Sequence, residues 1–383
     1  GPAIYLLCFL GQSSYLDKYR NQAMNRKLII VPAIITVVFF LLNACNVQEE
    51  ISGPILVELH QSNEQISFRG LHATHDTVVI VGGSSGHIGI STDAGLHWSF
   101  TKVIGAEESQ FRSVWAHDSE HFTAVTAGAP SYIYSSRDAG ENWSRVYSDT
   151  AESTFLDGIV FLSDRVGYVF GDPVDGRFMW LETTNGGDTW TPGIGPESID
   201  GEAAFAASGS AITYGYGIIS IVTGGSVSRM HTSSDSGKTW LTDFIELQQG
   251  LPSQGAFAQL WEGTKLYIVG GDYLMDSDTS NTAIIIDLAT GEQDDVTLDL
   301  LSGLPYTSDA ASDGQYIYFT GTQGIRALDT ALHIVDTTAM HALTYSGKYV
   351  FSSGPEGRIS RIYTGDEAGL NALLEKVKNA RKE

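Results

Sequence analysis

The chain has 383 residues, 42% of them hydrophobic and 17% charged, with 42 glycines against 10 prolines. That composition gives ample core and many turns, and it excludes a disordered chain. The formal net charge of −23 repels nucleic acid and anionic membrane surfaces, so nucleic-acid binding is set aside and the acidity is read as a solubility device.

Residues 1–23 carry no initiator Met and precede a second start, so they read as a non-native upstream segment. From Met24 the chain runs "MNRKLIIVPAIITVVFFLLNAC": a basic start, 15 apolar residues from Leu28 to Leu42, then small residues and Cys45. Such a run is short for a membrane span and right for the apolar region of a signal peptide. The ending "LLNAC" resembles a bacterial lipobox, which implies cleavage before Cys45 and its lipidation. A retained membrane anchor is the alternative, and the short run with a Cys at its exit argues against it. Cleavage removes four basic residues and one acidic one, taking the net charge to −26 and leaving Cys45 as the one remaining cysteine. No disulfide framework can then form. The expected order is a signal peptide at 24–44, a tether at 45–53, a folded body at 54–364 and a C-terminal tail at 365–383.

Within the body, "STDAGLHW" at 91–98 returns as "SRDAGENW", "TTNGGDTW" and "SSDSGKTW", with tryptophans 45, 47 and 50 residues apart. A period of this size signals stacked supersecondary units. Each motif sits in the same setting. In the first unit, "FRGLHA", "TVVIVGG" and "HIGIST" precede it and "HWSFTKV" follows. The second reads "FRSVWAH", "HFTAVTAG", "SYIYSS", "NWSRVYS", and the third "LDGIVFL", "VGYVFGD", "FMWLETT", "TWTPG". The fourth reads "AAFAAS", "GIISIVTGG", "SRMHTSS", "TWLTDFI". Four short β-rich runs per unit predict four-stranded blades.

The chain continues the pattern without the motif. "AFAQLW", "KLYIVGGDY", "TAIIIDL" and "EQDDVTL" make a fifth unit, and "TSDAAS", "QYIYFTG", "GIRALD" and "HIVDTT" a sixth. The last, "HALTYS", "KYVFSSG" and "RISRIY", has three strands, and "PILVELH" at 54–60 supplies the missing one. The expectation is an all-β, seven-bladed propeller closed by pairing both chain ends, which removes exposed edges. "LNALLEKVKNARKE" spaces Leu370, Leu373, Leu374 and Val377 for a C-terminal helix.

The repeated motif falls in the turn between third and fourth strands. Asp or Asn holds backbone amides, Gly takes the positive φ, and Trp packs its ring between sheets. The structural set is Asp93, Gly95, Trp98; Asp138, Gly140, Trp143; Asn185, Gly187, Trp190; and Asp235, Gly237, Trp240. The motif resembles the Asp box, or bacterial neuraminidase repeat, of sialidases and related propellers.

In a four-stranded meander the loops between second and third strands share a face with the blade-to-blade connections, opposite the boxes. First strands line the channel, so Arg69, Arg112, Asp157 and a position near Glu202 should ring that mouth. The second-to-third loops add Asp172, Asp175, Arg177, Arg229, Asp272 and Tyr273. Arginines and carboxylates converging on a concave mouth suit a polar ligand or partner, and salt bridges closing the channel are the structural alternative. Asp276, Asp278 and Asn281 in "MDSDTSN" lack the Gly and distal Glu of a calcium loop and read as a solvated acidic loop. No metal, cofactor or dinucleotide motif is present, and the ten histidines show no ligand spacing.

Two readings follow. The boxes, the lipoprotein signal and the "SFRGL" opening look like the photosystem II stability/assembly factor group and its relatives. That resemblance implies a non-catalytic, lipid-anchored binding propeller in the cell envelope, on its periplasmic or outer-membrane side. The partner would be another envelope protein or a glycan, and Arg69 and Arg112 fit the group's arginine-bearing face. The alternative is a sialidase-like glycoside hydrolase, with Arg69, Arg112 and Arg229 on a substrate carboxylate and Tyr273 beside Asp272 in catalysis. Against it, "FRGL" replaces the Pro-containing opening of that family, and seven blades replace the usual six. Binding is favoured.

Overall fold

The computed structural model describes residues 53–62, 65–74 and 77–382. The expected upstream segment, the expected signal peptide, Cys45 and most of the expected tether lie outside the described residues. Seven antiparallel sheets follow one another, six of four strands and one of six. The first blade runs Phe68–Ala73, Val79–Gly83, His87–Ser91 and Ser99–Lys102 from channel to rim. Its second strand is buried along its whole length, because a sheet covered on both faces needs a continuous apolar run and not alternation.

The core lies between successive blades. Ile80, Ile88 and Ile90 of the first meet Phe111, Phe122 and Ala124 of the second, and Val125 and Ile133 of the second meet Leu156, Val169 and Leu181 of the third. The ring closes as expected. Strand Ile55–His60 pairs antiparallel with Ile359–Tyr363, from Ile55 opposite Tyr363 to Glu58 opposite Ser360. A helix, Glu367–Ala380, then lies on this seam with Leu373 and Val377 buried among Val57, Leu59 and Phe351. Asp366 caps it by accepting from the Gly369 amide at 2.8 Å. At its other end Arg381 donates to the Glu58 carbonyl at 3.1 Å and to Glu58 Oε1 at 2.9 Å.

Two units depart from the expected strands. "AAFAAS" is not the inner strand of the fourth blade; that strand is Ile212–Gly215, paired with Ile218–Val222. Glu202–Ala203 instead pairs with Gly224–Gly225, which joins the fifth blade's sheet. Alanine has weak β-propensity, and the β-branched "ITY" before a Gly turn takes the strand instead. In the fifth blade "EQDDVTL" gives only the two-residue strand Glu292–Gln293, then a short helix, Asp295–Leu300, capped by Asp294.

The four box turns repeat one hydrogen-bond scheme. Ser91 Oγ accepts from the Gly95 amide at 2.8 Å and donates to Asp93 Oδ1, which in turn accepts from the His97 amide at 2.9 Å. Ser136–Asp138, Thr183–Asn185 and Ser233–Asp235 repeat it. Ala94 and Gly95 both have positive φ, +60° and +83°, as the hairpin turn here requires. The turn also lies close against its neighbour: a Cβ on Gly140 would lie 2.3 Å from Ile90 Cδ1 of the preceding blade, and the end of that side chain would have to turn aside. Each box thus seats its blade on the one before. Trp190 is buried, while Trp98, Trp143 and Trp240 are half-buried, less than the sequence reading assumed.

Candidate functional site at the channel mouth

The mouth opposite the boxes is built by a repeated irregularity. The register of the inner strands slips between Phe68 and Gly70, between Phe111 and Ser113, between Leu156 and Gly158, and between Ala256 and Ala258. The residues skipped are Arg69, Arg112, Asp157 and Phe257. A bulge releases one residue from the ladder and re-aims its side chain. Four blades therefore deliver one released residue each at the same level of the channel.

The segment 204–208, freed from being a strand, runs across this mouth and touches five blades. Arg69 and Arg112 donate to the carbonyls of Ala207 and Ala206 at 3.5 and 3.4 Å. The Ala204 amide donates to Asp172 Oδ1 at 2.9 Å, Phe205 stacks on Phe257 at 4.1 Å, and Ser208 Oγ donates to the Ser308 carbonyl at 2.9 Å. Between this strap and the bulge residues lies a cavity of about 430 Å³. Its walls include Arg69, Arg112, Asp172, Tyr273, Tyr306 and His341.

Its electrostatics follow from burial. Arg112 is steadied by Gln110 Oε1 at 2.7 and 3.0 Å, yet neither it nor Arg69 forms an ion pair among the described residues. Burial lowers the pKa of both, and Arg69 adds to the effect at Arg112. Burial and the two guanidinium charges pull His341 down to about 3, so it is neutral at pH 7. Asp157 is 1% exposed, and both its carboxyl oxygens lack a partner. Burial first, then the Asp172 charge, pushes it well above the ordinary carboxylate range, against the opposing pull of Arg112. Asp172 is also raised, by burial. Arg69 and Arg112 thus bring two cations to a cavity with aromatic walls, and Asp172 is the one carboxylate among its described lining residues.

The other expected residues go elsewhere. Arg229 does not face the mouth: it donates through Nε to Glu202 Oε1 at 3.0 Å and pairs through its terminal nitrogen with Glu202 Oε2. Glu202 is likewise not a rim residue; it is buried, and it also accepts from Thr223 at 2.5 Å and contacts His231 Nε2 at 3.2 Å. Arg177 pairs with Glu197 at 2.5 Å beside Asp175, which has φ +52°, on an exposed turn outside the cavity lining. Asp272 is buried, accepts from the Leu274 amide at 2.9 Å and from Gln254 at 3.2 Å, and is not among the residues that line the cavity with Tyr273. Asp276 accepts from Thr322 Oγ1 at 2.6 Å, and Asp278 accepts from the Ser280 amide. Three arginines therefore do not converge, and the constellation required by the sialidase-like reading is not assembled.

Sequence reasoning missed Phe257, Tyr306, His341 and the strap. "AFA" looks like core, and the strap lay in a stretch that the period had assigned to a strand.

With this geometry in hand, the chain can be set beside known proteins. No protein-family profile matches it. The photosystem II assembly lipoprotein Ycf48 of Synechococcus sp. (strain CC9902) is 28% identical over 112 residues, 29% of this chain and 32% of that protein. The chain resembles Ycf48. The match spans about a third of that relative's length. In fold, the solved structure of YCF48 bound to D1 peptide superposes with a TM-score of 0.60 at 12% identity, covering 81% of this chain and 96% of that one. YCF48 from Cyanidioschyzon merolae gives 0.53 at 13%, covering 81% and 99%. At these identities the structural likeness to Ycf48 is one of fold alone.

Proposed function

We propose that this protein is a non-catalytic binding and assembly propeller of the cell envelope, anchored by lipid at Cys45, that holds a partner polypeptide at its arginine-lined mouth. What carries the reading is the pair Arg69 and Arg112, placed by matching bulges on adjacent blades, without an ion-pair partner among the described residues and opening on an aromatic-walled cavity. Two half-buried cations without a counter-ion favour an anionic group from outside. The aromatic walls add apolar surface of the kind that protein–protein interfaces enrich. Support comes also from Ycf48, a lipoprotein of assembly by name, whose relative was solved with a D1 peptide. Asp157, Asp172, Asp175, Arg177 and Arg229 then divide into cavity wall, rim and scaffold. The lipid would place the propeller on the periplasmic or outer-membrane side.

The test is cross-linking in the native envelope with mass spectrometry, comparing wild type with Arg69→Glu/Arg112→Glu. Charge reversal should remove the cross-linked partner, and so should Arg69→Gln/Arg112→Gln, which lacks the charge but keeps side-chain N–H donors for the Ala206 and Ala207 carbonyls and should melt within a few degrees of wild type. Retention of the same partner by either double variant would sink the assignment. Turnover of a fluorogenic sialoside that disappears in Tyr273→Phe would replace it with the hydrolase reading.

A further inference from the structure

The channel has a second mouth on the face of the boxes, and its chemistry is the reverse of the first. Two cavities open there, of about 500 and 420 Å³, and Thr344 and Tyr345 line both. The larger presents Trp261, Glu262, Asp313 and Tyr345 among serine and threonine hydroxyls, and the smaller presents Trp115, Phe161 and Asp164. Among the described residues neither lining contains a lysine, arginine, asparagine or glutamine. The two histidines of the smaller cavity are pulled down by burial, His72 to about 3 and His117 to about 4, and carry no charge at neutral pH.

Trp261 is a fixed platform. A Cβ on Gly215 would lie 2.5 Å from its Cδ1, so the indole rests directly on bare backbone. Tyr216 packs edge-on at 5.5 Å and is itself held by its hydroxyl, which donates to the Gly263 carbonyl at 2.5 Å. The indole N–H has no acceptor among the described residues, and packing sets the ring. Glu262, next in the chain, faces Lys265 across the hairpin, but that lysine's ammonium is taken by Asp294. Glu262 is left half-buried and without a cation among the described residues.

We propose that this second mouth is a cation site for the lysine or arginine side chains of a basic polypeptide segment. The faces of Trp261 and Tyr345 would lie along the methylenes and toward the charge, and Glu262 and Asp313 would compensate it. An anion finds no charged donor there. A single small amine would fill one cavity, whereas two cavities meeting at one tyrosine suit successive basic side chains of one chain. The site shares no residue with the arginine mouth, so it does not depend on the function proposed above.

The test titrates the purified full chain, at low salt, with acetyl-Lys-Gly-Lys-amide, tetramethylammonium and acetyl-Asp-Gly-Asp-amide, read by calorimetry and tryptophan fluorescence. The lysine peptide should bind at least tenfold more tightly than the other two. Its affinity should fall at least tenfold in Glu262→Gln and in Tyr345→Ala, and stay unchanged in Arg69→Glu/Arg112→Glu. Glu262 and Tyr345 are partly exposed, and their variants should melt with wild type. No binding of the lysine peptide, equal binding of tetramethylammonium or of the acidic peptide, or indifference to both substitutions would overturn the proposal.

Discussion

Removing the charge of Glu202 tests how the strap is held at the arginine mouth. Glu202 has no side-chain exposure, and its two oxygens receive Thr223, His231, Arg229 and the Ile199 amide. Burial alone would raise its pKa, but the hydrogen bonds from His231, Arg229 and Thr223 outweigh it and bring the carboxyl from 4.5 to about 2. At about 1.4 kcal/mol per pKa unit, that difference corresponds to about 3 kcal/mol of stability. Because the folded-state pKa is depressed, this stability is fully present above pH 4.5 and is lost as the pH falls toward 2. Glu202→Gln keeps the shape, removes the charge and leaves Arg229 buried without a counter-ion, a change that costs about 3–5 kcal/mol at buried pairs. With an unfolding entropy of about 2.1 cal/mol/K per residue, a 3 kcal/mol loss lowers Tm by roughly 4 °C. Urea titrations of wild type and variant at pH 7, 5, 4 and 3 check this. The difference should hold from pH 7 to 5 and shrink between pH 4.5 and 3, where the unfolded wild-type chain takes up a proton that the folded carboxyl resists. A loss below about 1 kcal/mol at pH 7, or a difference that does not change with pH, would refute the reasoning. Glu202→Gln/Arg229→Met should recover much of the loss.

Gly140→Ala, at φ +85° and against Ile90, should lower stability by about 2–4 kcal/mol, read as a fall in the urea midpoint. Trp143→Ala removes a half-buried ring and should cost about 2–3 kcal/mol, below the 3–5 of a fully buried tryptophan, without changing partner capture. Val57→Arg puts a charge under the seam where the first strand meets the last, and should yield an open, aggregating ring by size-exclusion chromatography. Cys45→Ser should leave an uncleaved precursor that no longer takes up radioactive palmitate; unchanged size and labelling would point to a retained helix.

The blades were legible because one box recurs at nearly constant spacing, and the orphan strand at 54–60 because a three-stranded last unit needs a partner. Arg69 and Arg112 were legible for a related reason: "FRG" and "FRS" repeat at the head of successive units, so a bulge in one implies a bulge in the other. Phe257 occupies the same position without a polar signature, and nothing in "AFA" separates it from core. Arg229 was misplaced because its partner Glu202 lies 27 residues earlier, and no local pattern announces that pair. The strap was read as a strand because period outweighed composition. Its alanines and the following Gly209, at φ +91°, permit the irregular path that a β-branched run would have resisted.

The seam that joins Ile55–His60 to Ile359–Tyr363 also sets a clock on biosynthesis. The earliest described strand emerges first and cannot pair until about 300 further residues have followed it, which at 5–20 residues per second is roughly 15–60 seconds. Through that interval Val57 and Leu59 have only the first-blade part of their cluster, and lack Ala342, Phe351, Ile359, Leu373 and Val377, which complete it. A nascent chain of this design therefore needs shelter for its leading strand, and a premature stop anywhere before Tyr363 spoils the first blade-edge made as well as the last.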